Sequence, residues 1–292
     1  MEIQLKNQKY IDSNVDRYLK QLSAVKSGER VTIDFSQVEY LRPGAVIQLI
    51  VLSKMFFGKS GEKVVWSGIP KDRAFYLRRL QIEQVEFISV MMPPMLWGYT
   101  RRDNETIIPL EKITNRPQLG CATAEAMKHL REWFPEESDD FCRDAANIVM
   151  EIVNNSLDHS ERCEGNSPLC YYTIQKYQPH YPIGSKCYKP RVIIAFGDAG
   201  IGMRESLNRR WNIAQTDMSA IELALKGYSC RSDGEGGMGF RRVSEVLKKN
   251  KGHLTIRSGG ASIHCVYDED EVRRNRRYHK ERLLGTQTAF LF

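Results

Sequence analysis

The chain has no apolar run of the ~18–20 residues that a membrane-spanning helix needs. Its longest, Ala45–Phe57, is interrupted by Gln48, Ser53 and Lys54. The segment Met1–Tyr10 is polar and lacks the apolar stretch of a secretory leader, so a cytoplasmic protein with no membrane partner is expected. Cysteine is scarce and shows no tight pairing: seven residues are spread along the chain. That pattern suits free thiols in a reducing compartment better than a disulfide framework. There is no internal repeat, no low-complexity tract and no G-x-x-x-x-G-K-[ST], which excludes a Walker-type phosphate loop. Charge of one sign is also modest. The 43 Lys+Arg against 36 Asp+Glu give a net charge of +7, which permits anionic ligands without pointing to any one of them.

What is present is an ordinary globular composition, 41% hydrophobic and 27% charged over 292 residues. That length suggests two domains at about 100–200 residues each. Over residues 1–90, short apolar strands alternate with amphipathic helices. Val31–Phe35, Lys63–Trp66 and Val85–Val90 read as strands, and Gly44–Phe57 and Lys71–Leu80 as helices. Ile11, Val15, Tyr18, Leu19 and Leu22 recur at helical spacing upstream. The alternation predicts a small parallel or mixed sheet with helical cover. Between 91 and 120, Pro93-Pro94, Trp97-Gly98 and Arg116-Pro117 are breaker signals, so this stretch reads as a connection. Residues 121–292 read as two helices (Ala122–Trp133, Asp139–Ser160), then strands Cys170–Lys176 and Arg191–Phe196. Helices and glycines follow, then strands His253–Ser258, Ala261–Tyr267 and Thr286–Phe292.

Three clusters in this second region carry chemistry. On a helix through Glu151–Ser160, Ala145, Val149, Ile152 and Ser156 share one face, and Glu151, Asn155 and Asp158 another. A carboxylate one turn from a carboxamide can set a general base beside a metal ligand, and a single Asn can suffice for Mg²⁺ that also takes water and phosphate. A solvated helix face is the alternative. Next, the apolar strand Arg191–Phe196 runs into Gly197-Asp198-Ala199-Gly200-Ile201-Gly202. A carboxylate there can accept a hydrogen bond from a buried amine while the glycines let backbone approach a flat ring, or the segment is a strand-end turn. Third, Gly234-Glu235-Gly236-Gly237-Met238-Gly239 precedes a helix over Arg241–Lys249, an arrangement that presents N–H groups to phosphate. It also satisfies G-x-G-x-x-G, but the preceding Gly227–Asp233 is polar and turn-like, where a dinucleotide site needs a strand.

Taken in order, these clusters resemble the GHKL ATP-binding family of gyrase B, Hsp90, MutL, histidine kinases and anti-sigma serine kinases. The first is similar to the acidic N box E-x-x-x-N-S-x-D, the second to the D-x-G-x-G box, and the third to the glycine-rich box ending the ATP lid. Gly285-Thr286 is similar to the closing G-T. The resemblance implies a GHKL-type α/β sandwich over 121–292 that binds ATP and Mg²⁺. By that resemblance Glu151 is the general base and Asn155 the Mg²⁺ ligand. Asp198 hydrogen-bonds the adenine amine, with Thr286 helping through water, and Gly200 and Gly202 line the adenine pocket. Gly237, Met238 and Gly239 hold the phosphates by their backbone. Met203–Asp233 is the lid, from which Lys226 and Arg231 reach toward phosphate.

Residues 1–90 resemble the STAS domain of anti-sigma antagonists, a small α/β fold, through Val31–Phe35 and the turn Val38–Ala45. Arg42-Pro43-Gly44 stands where antagonists carry a phosphorylatable Ser or Thr, so an interaction or scaffold role with a protein partner is expected in place of a phospho-switch. The function expected is a cytosolic Mg-ATP-binding ATPase with a STAS-like regulatory domain. An anti-sigma-type serine/threonine protein kinase and a nucleotide-gated interaction switch with little turnover stand as alternatives. His159, Cys163, Cys170, His180 and Cys187 match no compact zinc spacing, and His129 reads as a surface helix residue. Val272–Arg282 carries six cationic side chains against Glu281. It reads either as a nucleic-acid or partner patch or as a charged hairpin loop between the last strands.

Overall fold

The computed structural model describes residues 1–6, 15–94, 106–160, 170–177, 191–228, 238–268 and 271–292. They form a mixed α/β protein with one parallel and one antiparallel sheet. The parallel sheet has the order β1 (Glu2–Gln4), β2 (Thr32–Asp34), β3 (Val64–Ser67), β4 (Ile88–Val90), each strand parallel to the next. Three of these strands fall where apolar alternation places them. β1 was not anticipated, since Glu2–Gln4 offers one apolar residue, Ile3, which is fully buried. The upstream helix is short, α1 (Val15–Leu19) passing into a 3₁₀ turn at Lys20–Ala24; residues 11–14 lie outside the described part. Helix α3 (Lys71–Arg79) links β3 to β4.

Helix α2 (Pro43–Ser60) organises the whole molecule. Proline opens it, where no intrahelical N–H is required, and Gly61 at φ 78 closes it in the left-handed conformation. Every residue from Ala45 to Ser53 is buried, so the helix is apolar around its circumference, as expected of one covered on all sides. It packs against its own parallel sheet and also against strands β7 (Arg191–Asp198) and β9 (Val272–Leu291) of the second sheet. Ile47 meets β7 so closely that a Cβ on Gly197 would clash with it. One hydrophobic core therefore joins Ile33, Leu49 and Trp66 of the N-terminal part to Leu110, Tyr171, Ala195 and Leu283.

The second sheet has the order β5 (Ile107–Ile113), β6 (Cys170–Tyr177), β7 (Arg191–Asp198), β9 (Val272–Leu291), β8 (His253–Tyr267), all antiparallel. Its other face carries α4 (Arg116–Trp133), α5 (Asp139–Ser160) and α8 (Met238–Lys249) over a separate core. Along β7, Ala195 faces α2, while Val192, Ile194 and Phe196 face that second core. Burial on both sides explains the unbroken apolar run in this strand.

Two sequence expectations change here. Residues 107–120 are not connection: β5 is an edge strand, and Pro109 sits at its register shift between Ile108 and Glu111, a position that tolerates a missing N–H. Pro117 does not break structure but lies in the first turn of α4, capped by the Asn115 side chain accepting from Gln118 N–H at 2.9 Å. The basic stretch Val272–Arg282 is not a hairpin loop either. Its first seven residues are strand, paired with 261–267. Moreover β8 doubles back at Gly259-Gly260. Tyr267 N–H donates to the Gly252 carbonyl at 2.9 Å, and Thr255 Oγ1 lies 3.0 Å from His264 Nδ1. Gly259 takes φ 59 there, which a tight hairpin turn demands of its first residue, and Asp217 accepts the Gly260 N–H at 2.8 Å.

Candidate functional site

The site forms where β7 ends beneath α5. Asp198, the last residue of β7, is 6% exposed and faces Ser156. The Ser156 hydroxyl donates to Asp198 Oδ2 at 2.7 Å, while Gly200 N–H (2.8 Å) and Thr286 N–H (3.3 Å) donate to Oδ1. Burial pushes the Asp198 carboxyl up to about 6, against the lowering effect of these three donors. A carboxylate has about four acceptor sites. Three are filled, and the remaining one is on Oδ2, beside a cavity.

That cavity holds about 710 Å³, counting its solvent-open side. Its walls are largely apolar: Ile152, Phe196, Met203, Leu207, Ala224 and Phe240. Its polar side chains are Asp198, Ser156, Asn155, Thr286, Thr288, Ser206 and Tyr228. The Thr288 hydroxyl is buried and has no partner among the described residues, so it is a donor and acceptor held next to Asp198's strand and open to a ligand. A buried polar group in that state costs stability unless something bonds it. Thr288 and Asp198 lie on neighbouring strands in the wall of this largely apolar cavity, an arrangement that can serve a planar heterocycle with an amine beside a ring nitrogen.

Glycines set the close approaches. Gly285 at φ 66 has no room for a Cβ, which would strike the Asp198 backbone. Gly202 at φ 79 opens helix α6 (Gly202–Asn208), and Met203 N–H then donates to Ser258 Oγ at 2.9 Å. Ser258 also donates to the Gly285 carbonyl at 3.1 Å, tying α6, β8 and the Gly285 segment of β9 together. Helix α7 (Asp217–Leu225) follows, with a Thr216–Ser219 capping box.

At the cavity mouth, α5 presents Asn155 and, one turn earlier, Glu151. The N-terminus of α8 lies directly on them. A Cβ on Gly239 would be 3.0 Å from Asn155 Nδ2 and 3.1 Å from Glu151 Oε2. Arg242, one turn along α8, donates to Glu151 Oε1 at 2.6 Å.

The structure therefore gathers Glu151, Asn155, Asp198, Gly200, Gly202, Gly239 and Thr286 around one cavity, from residues far apart in sequence. Met238 opens α8. Gly237 and Arg231 lie outside the described residues, as does most of the glycine-rich run; Lys226 is exposed at the end of α7. The sequence assigns no site role to Ser156, Thr288 or Arg242. Ser156 had a signal: a serine on the apolar face of α5 must find a partner. For Thr288 and Arg242 only the fold supplies one. Of the zinc candidates, Cys163, His180 and Cys187 lie outside the described residues, and among the described ones no group of three or more metal-binding side chains occurs. His129 stands on α4 between Glu125 (3.7 Å) and Glu132 (3.5 Å).

No protein-family model and no curated protein matched the sequence.

Proposed function

We propose that residues 121–292 are a GHKL-type domain that binds Mg-ATP in this cavity and transfers the terminal phosphoryl group to water, and that residues 1–90 are a STAS-like regulatory domain. The observation that carries the reading is Asp198. It is a buried carboxylate, held by three protein donors and left one free acceptor site, in the wall of a largely apolar cavity. The adenine amine fits that site, and the unpartnered Thr288 hydroxyl fits a ring nitrogen. Asn155 offers a single amide oxygen at the mouth. Among the described residues no protein cage completes a metal shell, so Mg²⁺ would take its other oxygens from phosphate and water. When bound, Mg-ATP supplies the phosphoryl group and its charge neutralisation. Glu151, one turn from Asn155, orients the attacking nucleophile and accepts its proton.

The regulatory part of the proposal rests on α2. It touches the parallel sheet on one side and β7, the strand that ends at Asp198, on the other. A partner protein bound to the N-terminal domain would act on the nucleotide site through Ile47 and Gly197. The decisive experiment follows γ-labelled ATP in the presence of cell lysate. Label in inorganic phosphate, lost in Glu151→Ala, supports the ATPase. Label on a partner's serine or threonine replaces it with the kinase. ATP binding without transfer replaces it with the switch. Absence of ATP binding by calorimetry overturns all three.

A further inference from the structure

The helix α2 covers only part of its face of the second sheet. Beyond it, the doubled-back strands extend the same face sideways. Alternation along the strands and the pairing registers put Arg191, His253, His264, Arg273 and Arg277 on it together. His253 and His264 lie on adjacent strands with ring centroids 5.7 Å apart. The charged groups acting on these two imidazoles are Arg191, Arg273 and Arg277, all cationic. Burial first, then for His253 the neighbouring His264, then those charges, hold both rings below the usual histidine range and favour their neutral form.

The opposite face of the same ribbon is different. There Arg276 is bound to Glu222 at 2.6 Å, and Arg282, just past the paired segment, to Asp217 at 2.7 Å. Those arginines serve the fold. Arg273 and Arg277 are exposed and make no ion pair among the described residues. Asp16 does not neutralise the face either, being bound by the buried Arg257 and by His279 at its inner border.

We propose that this open sheet face binds single-stranded nucleic acid. Arg273 and Arg277 stand four residues apart on one strand, ~13 Å at the usual rise, farther than one phosphate reaches, which favours a polymer over a lone anion. Arginine forks match phosphate oxygens. Two neighbouring imidazoles on the same face offer flat surfaces on which unstacked bases rest, as on other sheet-face readers of single strands. An acidic protein segment would use the arginines but has no use for paired neutral rings. The inference does not depend on the nucleotide cavity, which lies on the sheet's other face.

The test measures fluorescence anisotropy of a labelled 20-nucleotide oligo-dT and oligo-U with the full chain, over a salt series. A duplex of equal length and a polyglutamate peptide serve as competitors. Binding is expected to weaken with salt. Arg273→Ala/Arg277→Ala should lower affinity at least tenfold and flatten the log–log salt slope by about 1.4, the share of two phosphates on a single strand. His264→Ala should lower affinity with the slope unchanged, which a purely electrostatic patch would not show. Arg276→Ala, on the other face, should leave binding as it is. Circular dichroism checks folding of each, and Arg277→Gln gives a milder probe of the same contact. No binding at low salt, binding unaffected by the double variant, or preference for duplex or polyglutamate each overturns the proposal.

Discussion

Arg242 Nη1 stands 2.6 Å from Glu151 Oε1, joining the first turns of α8 to the middle of α5. Glu151 is 12% exposed and Arg242 59%, so the pair lies at the lip of the cavity and not inside it. A carboxylate occupied by a guanidinium is a poor acceptor for a nucleophile's proton. Under the proposed function, α8 therefore restrains the general base until nucleotide phosphates offer Arg242 another anion. Arg242→Ala should raise basal hydrolysis by up to about fivefold, in keeping with the ~1 kcal/mol ceiling of partly exposed pairs. Steady-state phosphate release checks this, and a fall in rate would make Arg242 a contributor to turnover.

Glu151→Ala should lower turnover by about 10²–10⁴ while changing Mg-ATP affinity little, since a positioned base acts on the rate. Asn155→Ala should instead weaken magnesium-dependent binding. Adding Arg242→Ala to Glu151→Ala should restore nothing, because no base remains to be released. Parental turnover in Glu151→Ala would remove it from the chemistry.

The Asp198 carboxyl is raised to about 6, and the sign of its effect on binding follows. The adenine amine needs an acceptor, so only the ionised form binds it well. As pH falls through about 6, Asp198 takes up a proton and ATP affinity should drop, approaching tenfold per pH unit well below that value. Folding stability should move the other way for this one group. A raised carboxyl ionises first in the unfolded chain, so this group's contribution to stability is complete below the ordinary carboxylate range and is lost as pH rises from there through about 6. Asp198→Asn should bind ATP more weakly at pH 7.5 and lose the acid dependence. Calorimetry at pH 5 to 8 measures both, and a flat profile in the parent would remove Asp198 from the adenine contact.

Much of this was legible in the sequence because the motifs are local. The helix spacing of Glu151 and Asn155, and the strand that delivers Asp198, need only periods of 3.6 and 2. What was not legible depends on partners far along the chain. Thr288 reads as a strand residue until the cavity forms beside it. Arg242 reads as a solvated helix charge until α8 lies on α5. Residues 107–120 read as connection because a proline such as Pro117 breaks structure only where an N–H is required. An edge bulge and a first helical turn require none. α2 was recognised as a helix, but nothing in Gly44–Phe57 says that a second sheet covers it.

Asp16 on α1 receives the buried Arg257 of β8 on one oxygen and His279 Nδ1 at 2.6 Å on the other. His279 Nε2 in turn lies 2.8 Å from Ser262 Oγ. Burial pushes the Asp16 carboxyl up, but bonds from His279 and Arg257 outweigh it and hold it below the usual range. Stability from this group is therefore complete above the ordinary carboxylate range and is lost as pH falls through the folded-state value. Asp16→Ala strands the Arg257 guanidinium, whose Nε and Nη1 already lack partners among the described residues. It should cost up to about 3–5 kcal/mol, read from the urea midpoint at pH 7. Arg257→Met added to Asp16→Ala should recover most of that loss. A loss below ~1 kcal/mol would mean water reaches Arg257.

Gly197 and Ile47 test whether the two sheets are coupled through α2. Gly197 pairs with Tyr171 of β6 and Gln287 of β9, one residue before Asp198. Its missing side chain is the space that Ile47 fills. Gly197→Ala adds one methyl where there is none to spare, and overpacking of that kind costs about 1–3 kcal/mol. The strain has two ways out: α2 moves away from the sheet, or β7 shifts and carries Asp198 with it. Either should weaken ATP binding under the proposed function, although residue 197 does not line the cavity. Ile47→Ala alone leaves a void and should destabilise by about 2–5 kcal/mol. Together the two changes should be less damaging than their sum, because the void of one receives the methyl of the other. Urea denaturation of the four proteins gives the coupling energy, and calorimetry with ATP shows whether the site follows. Strict additivity would mean that Ile47 and Gly197 do not meet in solution, and that the N-terminal domain has no route through α2 to Asp198.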